Sequence, residues 1–202
     1  MPESLFLSES TYVAKIQQQH RNQVRIIGGT HRGRKLTFPA ADGLRPTADS
    51  VRERLFNWLG QDLSGMAVLD LFAGSGVMGL EAASRKAETV ILVEKNRHVA
   101  TAIKNSLQQL NFSQVALICT DAQNFLANNQ QQFDLVFLDP PYNWAQWPEL
   151  LNAIVPHLRP QARVYLESST LPTLPSGWQQ LREGKSGISR FELLTYRNAE
   201  IA

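Results

Sequence analysis

The stretch Val68-Leu-Asp-Leu-Phe-Ala-Gly-Ser-Gly-Val-Met-Gly79 constrains the fold more than any other part of the chain. An apolar run carrying Asp70 breaks into a glycine-rich turn, and an amphipathic segment starts near Val77. That order reads as strand, tight loop, helix. The run Val68-Leu69-Asp70-Leu71 suits a buried parallel strand. Glycines in the turn adopt backbone angles that side chains forbid, and they let a ligand approach the main chain. The loop then lies at the carboxyl end of the first strand, where open α/β sheets bind ligands. Gly74-Ser-Gly76-Val-Met-Gly79 has the spacing of a dinucleotide fingerprint. Two features argue against that reading. Asp70 stands before the glycines, where a carboxylate faces a cationic or amino group rather than a pyrophosphate. A second motif, Asp139-Pro-Pro-Tyr142, has no role in hydride transfer. The plain alternative is a tight βα turn with no ligand.

Further apolar runs end in acids. Thr89-Val-Ile-Leu-Val-Glu94 reads as a second buried strand, with Glu94 placed to accept hydrogen bonds from both ribose hydroxyls of a nucleoside cofactor. Asn96 to Leu110 reads as a helix, with Val99, Ile103, Leu107 and Leu110 on one face. Val115 to Cys119 is a third strand, followed by Thr120-Asp121-Ala122. Asp121 suits either the exocyclic amine of adenine or a helix N-cap. Phe133 to Asp139 is a fourth strand, ended by Pro140 and Pro141, since two prolines cannot continue a central ladder. They hold Asp139 on a rigid corner with an aromatic ring, Tyr142, close behind. Trp144 and Trp147 are placed in the following loop, where they cap the pocket, stack on nucleotides or simply pack. Leu150 to Leu158 is expected to be helical and stopped by Pro160. Arg163 to Glu167 is a fifth strand, and Trp178 to Arg197 an antiparallel hairpin turning at Lys185-Ser-Gly187.

Upstream, two β-prone runs flank Gly28-Gly29 and Gly33 and predict a short hairpin over Val24–Phe38. Arg21, Arg25, Arg32, Arg34 and Lys35 make this segment basic, with no acid among them. Such a ribbon gains affinity for RNA or DNA by counterion release; the alternative is an edge ribbon with protective charges. His31 is read as a further polar contact there. In Leu44 to Leu59, Pro46 sets an entry turn and Ser50 with Glu53 suggests a capping box, with Thr47 as another cap. Val51, Leu55, Trp58 and Leu59 share a face, and Gly60 ends the helix. This helix packs on the sheet, and a sharper reading sets Arg45 and Thr47 beside the cofactor pocket. Residues 1–20, with Gln17 to Gln19, show no period and are expected to form a loose arm or a short helix.

Length and charge bound the rest. The chain has 202 residues, 43% of them hydrophobic, enough for one substantial α/β domain with a small appendage. No apolar run is long enough for a bilayer, and no signal-peptide layout opens the chain. A single cysteine, Cys119, excludes an internal disulfide and a cysteine-based zinc cluster; set in an apolar run, it is expected as a buried, inert thiol. The net charge of +2 does not indicate nucleic acid by itself, so the distribution of charge carries that reading. These features suggest a cytoplasmic protein with no metal site.

Asp70 with the glycine loop, Glu94, Asp121 and Asp139 therefore fall at successive strand ends. The arrangement resembles a class I S-adenosylmethionine-dependent methyltransferase. Arg25-Ile-Ile-Gly-Gly, Arg32-Gly-Arg-Lys-Leu36, Leu44-Arg-Pro-Thr47, Val51 to Leu59, Asp70 to Gly76 and Asp139-Pro-Pro-Tyr142 together resemble the bacterial RsmD family, 16S ribosomal RNA guanine-N2 methyltransferases. The resemblance spans residues 24–197. It implies a Rossmann-like, seven-stranded, mostly parallel sheet with a C-terminal antiparallel hairpin, plus a small N-terminal β-hairpin and helix. It divides the chain into a flexible arm (1–23), a basic RNA-binding extension (24–60) and a methyltransferase domain (61–202). S-adenosylmethionine would contact Thr47, Asp70, Phe72, Ala73, Gly74, Ser75, Gly76, Glu94, Asp121 and Ala122. Asp139, Pro140, Pro141 and Tyr142 would serve catalysis, and Arg25, His31, Arg32, Arg34 and Lys35 would contact RNA. The implied partner is 16S rRNA in the small subunit or a late assembly intermediate, met by a monomer. Rival readings are an adenine-N6 or protein-amide methyltransferase, a catalytically silent RNA-binding assembly factor and, more distantly, an NAD oxidoreductase.

Overall fold

In the computed structural model, residues 23–39, 47–141 and 144–197 are described. The expected N-terminal arm, Arg21, the turn at Leu44-Arg45-Pro46 and Tyr142 lie outside them. In chain order the elements are β1 (Gln23–Arg25), β2 (Lys35–Thr37), α1 (Asp49–Leu59), β3 (Ala67–Asp70), α2 (Val77–Ser84), β4 (Thr89–Val93) and α3 (Arg97–Leu110). There follow β5 (Val115–Ile118), α4 (Ala122–Asn128), β6 (Phe133–Leu138), α5 (Trp147–Ile154), β7 (Leu158–Ser168), β8 (Trp178–Ser186) and β9 (Ser189–Tyr196).

The apolar runs pair as a seven-stranded sheet in the order β5-β4-β3-β6-β7-β9-β8. β5 to β7 run parallel, and the β8–β9 hairpin closes the edge antiparallel. The order reverses at β3 and β6, so the carboxyl ends of these two strands open the crevice where such sheets bind ligands. The period of two divides each central strand between two cores. Val68, Leu135 and Phe137 face a layer with α1, α2, α3 and the β1–β2 hairpin, while Leu69, Val136 and Leu138 face α4 and α5. Each fully buried Leu, Val or Phe contributes roughly 1.5–3 kcal/mol.

The β1–β2 hairpin forms as read, and Val24, Ile26, Leu36 and Phe38 bury its inner face. Its glycines serve docking. A Cβ on Gly28 would meet the Arg85 guanidinium, and one on Gly29, where φ is +72°, would collide with the Ser84 carbonyl. The turn is fastened to α2 by Ser84 Oγ donating to the Gly28 carbonyl at 2.6 Å and accepting from the His31 amide at 2.9 Å. Beneath it lies a buried charge cluster. Glu81 accepts from Arg52 Nη1 at 3.1 Å, from Arg85 Nη2 at 2.9 Å and from the Ile27 amide at 2.8 Å. Arg52 also donates to the carbonyls of Arg25 and Thr47.

Several local expectations are corrected. The α1 N-cap is Ala48 with no side-chain cap, because Thr47 turns toward Asp139 and the Ala48 carbonyl takes the amides of Val51 and Arg52. On α1 the buried face includes Arg52 and Phe56, while Trp58 is half-buried against Phe191. Trp147 is not in a loop; it opens α5 and packs in the core. Pro160 does not stop a helix. The helix ends at Ile154, a 3-10 turn holding Pro156 follows, and Leu158 already pairs with Phe133. Pro160 sits in the irregular stretch of β7, where the pairing jumps to Arg163 and Gln161 has φ +65°. Cys119 is exposed, because β5 is the sheet edge and only half covered.

Candidate active site at the carboxyl edge of the sheet

A cavity of about 590 Å³ lies over the carboxyl ends of β3, β4, β6 and β7, within the usual range for small-molecule sites. Of the residues anticipated for cofactor and catalysis, Thr47, Asp70, Phe72, Ala73, Gly74, Ser75, Glu94, Asp121, Ala122, Asp139, Pro140 and Pro141 line it. Gly76 does not. It is the N-cap of α2 at φ +77°, and its substituent direction points at Ile103 of α3. It turns the chain so that Gly74 and Ser75 form the wall, with its own amide bonded to the Ala73 carbonyl at 2.6 Å. Gly79 serves packing: a Cβ there would meet Leu92 Cδ2 at 2.2 Å, so α2 lies directly on the sheet.

The acids are held by backbone donors. Asp70 Oδ2 accepts from the Gly79 amide at 3.0 Å, which ties the strand end to the first turn of α2. Glu94 accepts from the Gly74 amide at 2.9 Å and the Asn96 amide at 2.7 Å, joining the end of β4 to the glycine loop. Each oxygen keeps a lone pair for a ligand. Asp121 is the N-cap of α4, accepting from the Asn124 amide at 2.9 Å, which holds its carboxyl below the usual range. Of the two readings left open, the cap is therefore observed, and Asp121 also lines the cavity. Phe72 and Trp144 meet edge to face at 5.2 Å between centroids on the same wall.

Asp139 follows β6 directly, half-buried, with Pro140 buried behind it. Its Oδ2 accepts from Thr47 Oγ1 at 3.3 Å. Burial, then the charges of Glu167 and Asp70, raise its pKa well above the ordinary carboxylate value. Asp70 is pushed up to about 7, chiefly by burial and then by Glu94, against the Gly79 amide. Between the unfolded carboxyl's range near 4 and about 7, the folded state holds this proton and the unfolded chain releases it. Stability from Asp70 therefore falls as pH rises across that window and levels off above it. Asp70→Asn is expected to flatten part of the fall, so thermal melts at pH 5 and pH 8 should lie closer together for the variant than for the parent.

A family model described as "Conserved hypothetical protein 95" matches residues 24–195. Ribosomal RNA small subunit methyltransferase D of Escherichia coli strain K12 is 40% identical over 176 residues, covering 85% of this chain and 89% of the relative. The Haemophilus influenzae protein of the same name is 40% identical over 193 residues, covering 91% and 99%. The chain belongs to the ribosomal RNA small subunit methyltransferase D family. The solved structure of yhhF from Escherichia coli superimposes with a TM-score of 0.79 at 40% identity, over 86% of this chain and 98% of that one.

In this family member none of the anticipated RNA-contact residues Arg25, His31, Arg32, Arg34 and Lys35 lines the cavity, and of these Arg25 and Lys35 adjoin it. Arg32, Arg34 and Lys35 are exposed, and none has an acidic partner among the described residues. Arg25 is exposed and pairs with Asp49 at 2.9 Å. His31 serves as an anchor: Nε2 is 3.0 Å from the Leu110 carbonyl, and the ring packs on Phe112 at 4.1 Å. A shallow groove lined by Arg25 and Lys35 shares Thr47 and Ala48 with the main cavity. Sequence reasoning missed one acid in the cavity, Glu167. Its signal was present, since Glu167 ends the fifth apolar run as Glu94 ends the second. Among the described residues no helix is long and apolar enough to cross a membrane.

Proposed function

We propose that this chain transfers a methyl group from S-adenosylmethionine to the exocyclic N2 of a guanine in 16S rRNA of the small ribosomal subunit. The observation that carries the reading is a proline-backed carboxylate, Asp139, sharing one cavity with the Gly74–Ser75 loop. Family membership supports the RNA methyltransferase class. The cavity's donor set fits the cofactor: Asp70 suits an ammonium, Glu94 a vicinal ribose diol and Asp121 with Ala122 an adenine, in a space of about 590 Å³. When bound, S-adenosylmethionine supplies a methyl carbon activated by a sulfonium.

Guanine N2 is a weak nucleophile because its lone pair is delocalised into the ring. The Asp139 carboxylate and the Pro140 carbonyl accept its two N–H bonds and draw the nitrogen toward tetrahedral geometry. Transfer would join N2 to the methyl carbon as that carbon parts from the sulfonium sulfur, and Asp139 or water would take one N2 proton. Burial and the neighbouring charges of Glu167 and Asp70 raise the pKa of Asp139, which makes its carboxylate a stronger base toward the departing proton. Tyr142 would stack on the base, which would have to leave its own stack to reach the site. Correct placement alone is worth about 7–11 kcal/mol of barrier. The protein acts in the cytoplasm as a monomer on the small subunit or a late assembly intermediate.

The exposed cations of the β1–β2 hairpin form a basic ribbon for the RNA backbone, which reaches the cavity through the groove at Arg25 and Lys35, while its turn, with Arg32 and Arg34, docks on the C-terminal ends of α2 and α3. Replacing Arg32, Arg34 and Lys35 together by Ala is expected to weaken RNA binding and lower the slope of log affinity against log salt by about 2–3. Filter binding over a salt series measures it, and an unchanged slope removes the hairpin from the interface. The whole reading is tested by incubating the protein with labelled S-adenosylmethionine and small subunits, free rRNA or DNA in parallel. Label in the small-subunit RNA is expected. Label in DNA alone, or none, overturns it.

A further inference from the structure

The cavity holds an acid for which neither the cofactor cradle nor the Asp139 corner has a use. Glu167 lies near the end of β7, and its neighbours in the wall include Ser186 and Ser189, which flank the β8–β9 turn. Two hydroxyls fix its carboxylate. Tyr165 Oη donates to Oε2 at 2.7 Å, and Ser189 Oγ donates to Oε1. Tyr165 is fully buried, and burial with the Glu167 charge keeps its phenol protonated, so that donor is constant. A carboxylate has about four lone-pair sites, so each oxygen retains one for a ligand. Neither Glu167 nor Asp139 has an ion-pair partner among the described residues. Leu138 of β6 pairs in register with Leu166 of β7, so the next residues, Asp139 and Glu167, leave neighbouring strands together at one end of the chamber.

Two acceptors side by side call for a ligand with a row of donors. The Watson–Crick edge of guanine offers one, N1–H beside the N2 amine. Adenine instead presents a bare N1 acceptor, whose lone pair would face a carboxylate. From this geometry we infer that Glu167 is the residue that selects guanine, accepting N1–H while Asp139 holds N2. The inference rests on the guanine-N2 reading above and deepens it by naming how the base is chosen. A site built around a buried hydrogen bond rejects the analogue that cannot make it far more strongly than an apolar pocket rejects a near-isostere.

The test uses small subunits reconstituted with 16S rRNA carrying either guanine or 2-aminopurine at the methylated position. 2-Aminopurine keeps the N2 amine but has an unprotonated N1. The parent protein is expected to favour guanine by at least about 100-fold in kcat/KM. In Glu167→Gln the carboxamide can donate to that N1, so the preference should fall by at least about 10-fold through a gain on 2-aminopurine. Calorimetric binding of S-adenosylmethionine, expected unchanged, shows that the variant is folded. A parent that methylates both bases equally, or a variant that keeps the parent's ratio, overturns the role of Glu167. Absence of N2-methylguanine from the parent on unmodified subunits is a different failure, that of the underlying reading.

Discussion

Asp139→Ala is expected to lower methyl transfer by about 10³-fold while S-adenosylmethionine binding stays within about twofold. In the proposed mechanism the carboxylate has two tasks. It would accept an N2–H, which aims the nitrogen lone pair, and its raised pKa would suit it to take the departing proton. Thr47 contacts it only at 3.3 Å and carries no charge. The proposed cofactor cradle is built from different strands: Asp70 is held by the Gly79 amide, and Glu94 by those of Gly74 and Asn96. Removing Asp139 leaves these bonds intact and relieves a like charge near Asp70, so affinity should survive. Asp139→Asn separates the two tasks, since the amide oxygen still accepts N2–H but cannot take a proton at neutral pH. Single-turnover transfer with calorimetry on the same preparations distinguishes them. Near-parental transfer by the alanine variant would remove Asp139 from the mechanism.

Glu81→Ala should produce the largest loss of stability, about 3–5 kcal/mol. Glu81 is fully buried between two guanidiniums, and the Arg52 side chain is fully buried as well. The substitution leaves Arg52 with only Asp49 for a charge partner, strips Arg85 of its carboxylate and orphans the Ile27 amide. For a chain of this size the melting temperature should fall by about 6–20 °C. Glu81→Gln should lose less, because the amide oxygen can still accept one of these bonds. The damage should centre on the β1–β2 hairpin, which docks on α2 through Glu81, Ser84 and Arg85, so amide exchange should rise first over residues 24–37. A change below about 1 kcal/mol would mean that the cluster is merely tolerated.

The legible parts of this molecule were those where local pattern and tertiary role coincide. Apolar runs ending in Asp70, Glu94 and Asp139 announce parallel strands with acids at the ligand edge, and the sheet places all three on one cavity. The hairpin, the C-terminal β8–β9 ribbon and its turn were readable from β-prone residues around glycine. What stayed hidden depends on partners distant in sequence. Arg52 looks like a solvated helix position, since its buried mate Glu81 lies 29 residues on. Thr47 looks like a cap until the Asp139 corner, 92 residues later, arrives beside it. Glu167 carried the same strand-end signal as Glu94, yet its significance comes from Ser189 across the antiparallel edge. Cys119 misled because an apolar run predicts burial only for a central strand, and β5 is the edge.

The central claim is that the Asp139 corner presents one particular atom, guanine N2, to the activated methyl. The most direct test is chemical identification of the product. Small subunits methylated by the purified protein are digested to nucleosides and resolved by mass spectrometry against synthetic standards. N2-methylguanosine, arising with the parent and absent with Asp139→Ala, is the predicted result. N6-methyladenosine, or methylated guanine formed equally by both proteins, would contradict it.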